Sequence, residues 1–392
     1  MRRVYLDSAA TTRVAPEVVE EMLPYLKERF GNPSSLYDEG QEALEAITEA
    51  RGRVARLIGA VDEEIVFTSS GSESNNLAIK GIAWARHKKG KHLVVSAIEH
   101  FSVLHAARTL EKQGFEVTQV PVDSNGLVDP ADVGRAIRDD TILVSVMHAN
   151  GEVGTIEPLA EISAITRERG IPLHTDAVAS AGTVPVNVNE LGVDALSLAG
   201  SMFYGPKGAG ALYLRHGTRV VPLLDGGIQE DGRRAGTENV PGIVGLGKAA
   251  ETAATGLEER AERLAGLQHR LETGLLESVE HVHVNARGAP RLPDRTSISV
   301  EFVEGESMLM FLNMEGIAAA SGSSCTSRAL KASHVLIATG LGHELAQGTL
   351  LFSTGRDTTE DDVDYLLDKL PPIVQRLRDM SPLYTKFRKE TG

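Results

Sequence analysis

One cysteine, Cys325, is all that 392 residues contain. A single thiol excludes an intramolecular disulfide and any zinc site built on a cysteine cluster. Long apolar runs are missing too, and none approaches the roughly 20 residues needed to cross a bilayer. The stretch 1–7 lacks the apolar core and small-residue cleavage site of a secretory signal, so the expected location is cytoplasmic. Basic charge is in the minority, with 40 Lys and Arg against 54 Asp and Glu and a formal net charge of −14. That balance argues against a nucleic-acid backbone as partner, which needs a basic footprint; it suits solubility and a basic protein partner. There is no internal repeat and no low-complexity tract.

What is present is a chain with 42% hydrophobic residues and mixed charge, long enough to bury a large core in two domains. Pro16 opens an amphipathic pattern (Val18, Met22, Leu23, Leu26) that stops near Gly31-Asn32-Pro33, and a second helix is expected over 41–57. Strand-like runs at 65–68, 93–96, 117–120, 142–147 and 171–176 then alternate with helical periodicity. Such alternation predicts a mostly parallel sheet with ligands at the carboxyl ends of its strands. His100, Asn150, Asp176 and the turn Ser201-Met202 all fall at those ends, which predicts one cleft. Ser69 to Asn76 is a small-residue turn entering a helix, a pattern whose free N–H groups can face an anion. Further on, the spacing predicts one long helix over 245–277, a surface loop over 288–294, and a smaller α+β region with a strand at 297–302 and helices at 307–314 and 360–380.

The stretch Asp194 to Tyr213 reads DALSLAGSMFYGPKGAGALY. With YLDSAATT, FGNPSS, EGES, SGSSCTS, SHVL and SPLY elsewhere, it resembles the cysteine desulfurases of the class V aminotransferase group. The resemblance covers essentially the whole chain. It implies the type I pyridoxal-phosphate (PLP) transferase fold, an α/β architecture with a mostly parallel seven-stranded sheet, flanking helices and a smaller α+β domain. The large domain is expected over 13–255, and the small one over 1–12 with 256–392, carrying the Cys325 loop. A homodimer is implied, with Thr237 on a loop that reaches the neighbouring subunit's cofactor phosphate.

In that family a cysteine attacks the sulfur of a cysteine–PLP adduct, keeping a persulfide and releasing alanine. Cys325 matches that nucleophile, His100 the ring-stacking acid–base residue, and Asp176 the partner of the pyridine nitrogen. Gly71 and Ser72 match the phosphate turn. Other positions depart from the pattern. Met202 stands where the family has the Schiff-base lysine, Ser201 and Ala199 where it has a phosphate-binding His and Ser, Ala179 and Gly151 where it has a Gln and an Asn on the ring oxygen O3′. Leu351 stands where the family has the arginine that grips the substrate carboxylate, Arg356 being the following one; Asp231 replaces another family arginine. A thioether cannot form an imine, and each bond of a lost arginine clamp is worth roughly 1.5–3 kcal/mol. Lys207, in the GPKG that follows, is expected to point elsewhere.

These departures imply a desulfurase-like protein of sulfur transfer or iron–sulfur cluster assembly that holds no PLP covalently and binds it weakly if at all. Cys325 would carry a persulfide, or lend its thiolate to a cluster shared with an iron–sulfur scaffold or sulfur-acceptor partner. Two alternatives stand beside it: an active PLP-dependent cysteine desulfurase, and a non-catalytic regulatory subunit of an intact paralogue.

Overall fold

The computed structural model describes residues 2–322 and 332–391, so Cys325 lies outside the described residues. Twelve strands are described: β1 (Val4–Tyr5), β2 (Ile65–Thr68), β3 (His92–Ser96), β4 (Glu116–Val120), β5 (Thr141–Ser145), β6 (Leu173–Asp176), β7 (Ala195–Ala199), β8 (Gly210–Leu214), β9 (Val282–Val284), β10 (Arg295–Val300), β11 (Ile317–Ala318) and β12 (Thr349–Ser353). Seven form the main sheet in the order β2-β8-β7-β6-β5-β3-β4, parallel except for β8, which runs antiparallel to both neighbours. The fold is thus the α/β PLP-transferase architecture that the alternation and the resemblance imply.

Continuous apolar strands are what a sheet covered on both faces requires. Successive residues of β3 serve opposite layers: Val94 packs with Val54, Ile58 and Leu196, whereas Leu93 and Val95 pack with Ile79, Ile82 and Leu110. The helix Asp38–Ile58 buries Ala43, Ile47, Val54 and Ile58 on one stripe and ends at Gly59, whose φ of 69° makes the left-handed cap.

A second sheet, β12-β10-β9, is antiparallel and packs its own core of Leu271, Leu275, Ile298, Leu350 and Leu366. Val4 and Leu6 join this core, because β1 pairs with β11 and Ser353 N donates to Leu6 O at 2.8 Å.

Two expectations fail here. The long helix over 245–277 is two helices, Val240–Ala254 and Leu257–Ser278. Thr255 is extended and Gly256 is left-handed (φ 63°), so the chain turns between them and each helix packs a different core. The stretch 288–294 is not a surface loop throughout. Leu292 is fully buried and Asp294 nearly so, because Thr155 bridges Arg291 and β10 starts directly after.

Candidate active site

Where β2, β3, β5, β6 and β7 end, their following turns converge on one cavity of about 310 Å³, closed on the far side by β10, β12 and Ala320-Gly322. This is the place that parallel α/β topology reserves for ligands. His100, Asn150 and Asp176 line it, as do Gly71 and Ser72 of the anion turn. Gly151, Ala179, Ala199, Ser201, Met202 and Leu351, the positions at which the resemblance implies departures, line it as well, so residues scattered over 200 positions share one space. Thr237 is exposed and does not line this cavity; it sits on the loop after β8, whose Arg234 Nε donates to Glu73 at 2.9 Å.

The turn after β2 is built on Ser70, whose Oγ accepts Glu73 N at 3.1 Å and so caps the helix that begins at Gly71. Gly71 leaves no room for a side chain while Val178 keeps its place: a Cβ there would stand 2.4 Å from Val178 Cγ2. A hydrogen-bonded chain links the retained polar groups. Asp176 accepts Val178 N at 2.9 Å and Asn75 Nδ2 at 2.6 Å, Asn75 Nδ2 also reaches Ser102 Oγ at 2.8 Å, and Ser102 Oγ lies 2.7 Å from His100 Nδ1. Burial raises the Asp176 pKa above the ordinary range, against the lowering effects of His100, Val178 N–H and Asn75.

Three further carboxyls line the cavity that sequence reasoning missed. Glu99 is fully buried, accepts Ser96 Oγ and Met147 N at 2.7 Å each, and is pushed up to about 8 by desolvation. Desolvation likewise raises Glu152 to about 7 and Asp7 to about 6. Glu152 joins the two stems of the Cys325 segment: it accepts Ser333 Oγ, and its Oε2 lies 3.4 Å from where a Cβ on Gly322 would sit. The signal for Glu99 was its place beside His100 at a strand end; nothing in the sequence marks the burial that shifts Glu152.

Arg295 was also missed. It opens β10, is only 2% exposed, and among the described residues is the one Arg or Lys lining the cavity. Its Nη1 donates to Asp294 Oδ2 at 2.6 Å, its Nε to Gly151 O at 3.1 Å and its Nη2 to Ala179 O at 3.5 Å.

These groups fit a covalently held PLP poorly. No amine lines the cavity among the described residues. Lys207 turns away, as expected, donating to Thr12 O at 3.1 Å and lining a separate cavity with Tyr5 and Tyr204. Met202 instead packs its thioether against the large core. Where the family has an asparagine, Gly151 leaves open space: a Cβ there would meet nothing within 4 Å.

The sequence matches the family described as aminotransferase class-V over residues 4–366. It is 53% identical over 385 residues to "Cysteine desulfurase IscS" of Methanosarcina thermophila, covering 98% of this chain and 95% of that one. It is 51% identical to "Cysteine desulfurase IscS" of Dictyoglomus turgidum, covering 99% and 98%. Among solved structures, a "NIFS-LIKE PROTEIN" superposes with a TM-score of 0.89 at 37% identity, over 95% of this chain and 100% of that one. No described helix is long and apolar enough to cross a membrane. On the motif set, the sheet order and these matches together, the chain belongs to the cysteine desulfurase family of class V aminotransferases.

Proposed function

We propose that this protein is a sulfur-transfer member of the desulfurase family that works without covalently bound PLP, in iron–sulfur cluster assembly. The observation that carries the reading is the convergence of six replaced positions, Met202 above all, on the one cavity where the cofactor would sit. A substitution at a single ligand position is drift; six around one space point to a relaxed demand for the ligand. The division into a large domain over 13–255 and a small one over 1–12 with 256–392, and a homodimeric, cytoplasmic protein, belong to the same reading.

Cys325 is the working group. Its thiolate attacks the terminal sulfur of a donor persulfide, the donor's S–S bond breaks, the donor leaves as a thiolate, and Cys325 holds the persulfide for an acceptor. The transfer is redox-neutral and needs neither lysine nor cofactor. The same thiolate is a soft ligand suited to a cluster forming on a scaffold partner.

A second reading, an active PLP-dependent desulfurase, is favoured by the names of the relatives at 53% and 51% identity. One experiment separates the two. The protein is incubated with PLP, desalted, scanned for absorbance and assayed for alanine release from cysteine; a second sample is exposed to a small-molecule persulfide and weighed by mass spectrometry. The expected result is no retained chromophore, no alanine, and one extra sulfur atom that Cys325→Ser abolishes. Alanine release would overturn the proposal. Because Thr237 does not line its own chain's cavity, mixing with an intact homologue and weighing the complex tests the regulatory-subunit alternative.

A further inference from the structure

Arg295 relates three of the replaced positions to one another. Its guanidinium bonds the backbone carbonyls of Gly151 and Ala179, the two positions at which the family resemblance expects amide side chains directed at the ring oxygen O3′. In the β10–β12 ladder Ser297 faces Leu351 and Arg295 faces Ser353. Residues two apart on neighbouring strands share a face, so an arginine at 351 would stand beside the guanidinium of Arg295.

We propose that Arg295 is a built-in occupant of the cofactor pocket, tied to the backbone carbonyls of Gly151 and Ala179 at the ring edge and excluding pyridoxal-type rings. The inference rests on the reading of the cavity as an emptied cofactor site. Every nitrogen of the guanidinium already has an acceptor: Asp294 Oδ2, Gly151 O and Ala179 O. Its charge is offset by Asp294 directly behind it and by Asp7, which faces the same cavity. Asp294 Oδ1 and Asp7 Oδ1 are buried without a donor among the described residues. An ionised O3′ brought to this corner would therefore meet two carboxylates and one cation that is already committed, an arrangement that disfavours a further negative charge. The pocket is not simply a worn site with gaps in its wall. One buried side chain has its own partners where the ring edge would lie, so restoring the lysine alone would not restore the cofactor.

The test uses pyridoxine 5′-phosphate, which has the ring, O3′ and phosphate but no aldehyde, so that imine chemistry plays no part. Its dissociation constant is measured by equilibrium dialysis for the unmodified protein and for Asp294→Asn/Arg295→Gln, a paired change that removes the cation together with the carboxylate bonded to it. The paired variant is expected to bind at least tenfold tighter. Arg295→Lys, which keeps the charge beside Asp294 but reaches one carbonyl at most, is expected to gain less, and it supplies the comparison if the paired variant does not melt cooperatively. An unchanged constant overturns the proposal, and weaker binding overturns it by making Arg295 a ligand for the ring. The comparison is independent of turnover. Alanine release by the unmodified protein would sink the proposed function without altering the ratio between variants, and an unchanged ratio would sink the role of Arg295 while leaving the absence of alanine release standing.

Discussion

Replacing Glu152 by glutamine should remove a pH dependence that the folded protein carries at the stems of its Cys325 segment. Glu152 is held in the folded state by Ser333 Oγ and lies against Gly322, with Asn150 Oδ1 accepting its backbone N–H at 2.8 Å. Desolvation raises its pKa from an ordinary 4.5 to about 7, with the Ser333 bond and the His100 charge pulling the other way. A difference of that size corresponds to about 3 kcal/mol. Because the folded-state value is the higher one, the folded state holds this proton more tightly. The contribution is fully present below about pH 4.5 and is lost as pH rises through about 7. Glutamine keeps an acceptor for Ser333 and cannot ionise. The stability difference between variant and unmodified protein, from denaturant unfolding followed by Trp84 fluorescence, should therefore be small near pH 4.5. It should move by about 3 kcal/mol in favour of the variant by pH 8. Glu99 and Asp7 titrate in both proteins and cancel in the difference. A difference that stays flat across that range would refute the assignment of a raised, desolvated carboxyl to this position.

Other expectations follow from the same contacts. Arg51 grips Glu230 through two bonds of 2.8 Å, and Glu230 also accepts Phe67 N at 2.8 Å. Glu230→Ala should cost about 3–5 kcal/mol by stranding the arginine, whereas Arg51→Met/Glu230→Leu should cost far less, as denaturant titration of the set will show. Gly71→Ala drives a Cβ to within 2.4 Å of Val178 Cγ2; a loss of about 1–3 kcal/mol is expected, with recovery when Val178→Ala is added. Asn75→Ala removes the 2.6 Å donor to Asp176 and should cost about 1–3 kcal/mol in denaturant unfolding, because that carboxylate oxygen loses its one protein donor in a buried site.

The fold was legible because its determinants are local and repeated. The continuously buried run of β3, capping at Ser70 and the left-handed stop at Gly59 each leave a mark within a few residues. The break at Thr255-Gly256 leaves a mark too, but two helical stripes separated by only two residues read as one, and the separate cores show that they are two. That Asp176, His100 and the Ser201-Met202 turn share one cavity was legible because strand-end position is itself a sequence feature. Arg295, Glu152 and Asp7 were not. Their significance comes from burial and from partners 144, 181 and 288 positions distant, and no local pattern records either.

The hydrogen bonds give a physical reason why frame and pocket can change independently. The turn bearing Met202 is fastened by its backbone. Ser201 O accepts Thr12 N at 2.8 Å and Thr12 Oγ1 at 2.9 Å, Gly200 N donates to Ala209 O at 3.1 Å, and Gly205 N returns to Gly200 O at 2.8 Å. None of these bonds uses the side chain at 199, 201 or 202, so those side chains can change without disturbing the turn. Asp176 is different. Both its oxygens already have protein donors, and replacing it would leave Val178 N–H and one N–H of Asn75 without an acceptor in a buried site at a cost of about 1–3 kcal/mol. A position that faces only a ligand is free to drift once the ligand is no longer needed, while a position that also satisfies the fold is held. On the reading proposed above, Ala199, Ser201 and Met202 fall on one side of that line and Asp176 on the other, so that the frame of the family can be kept while its cofactor contacts change.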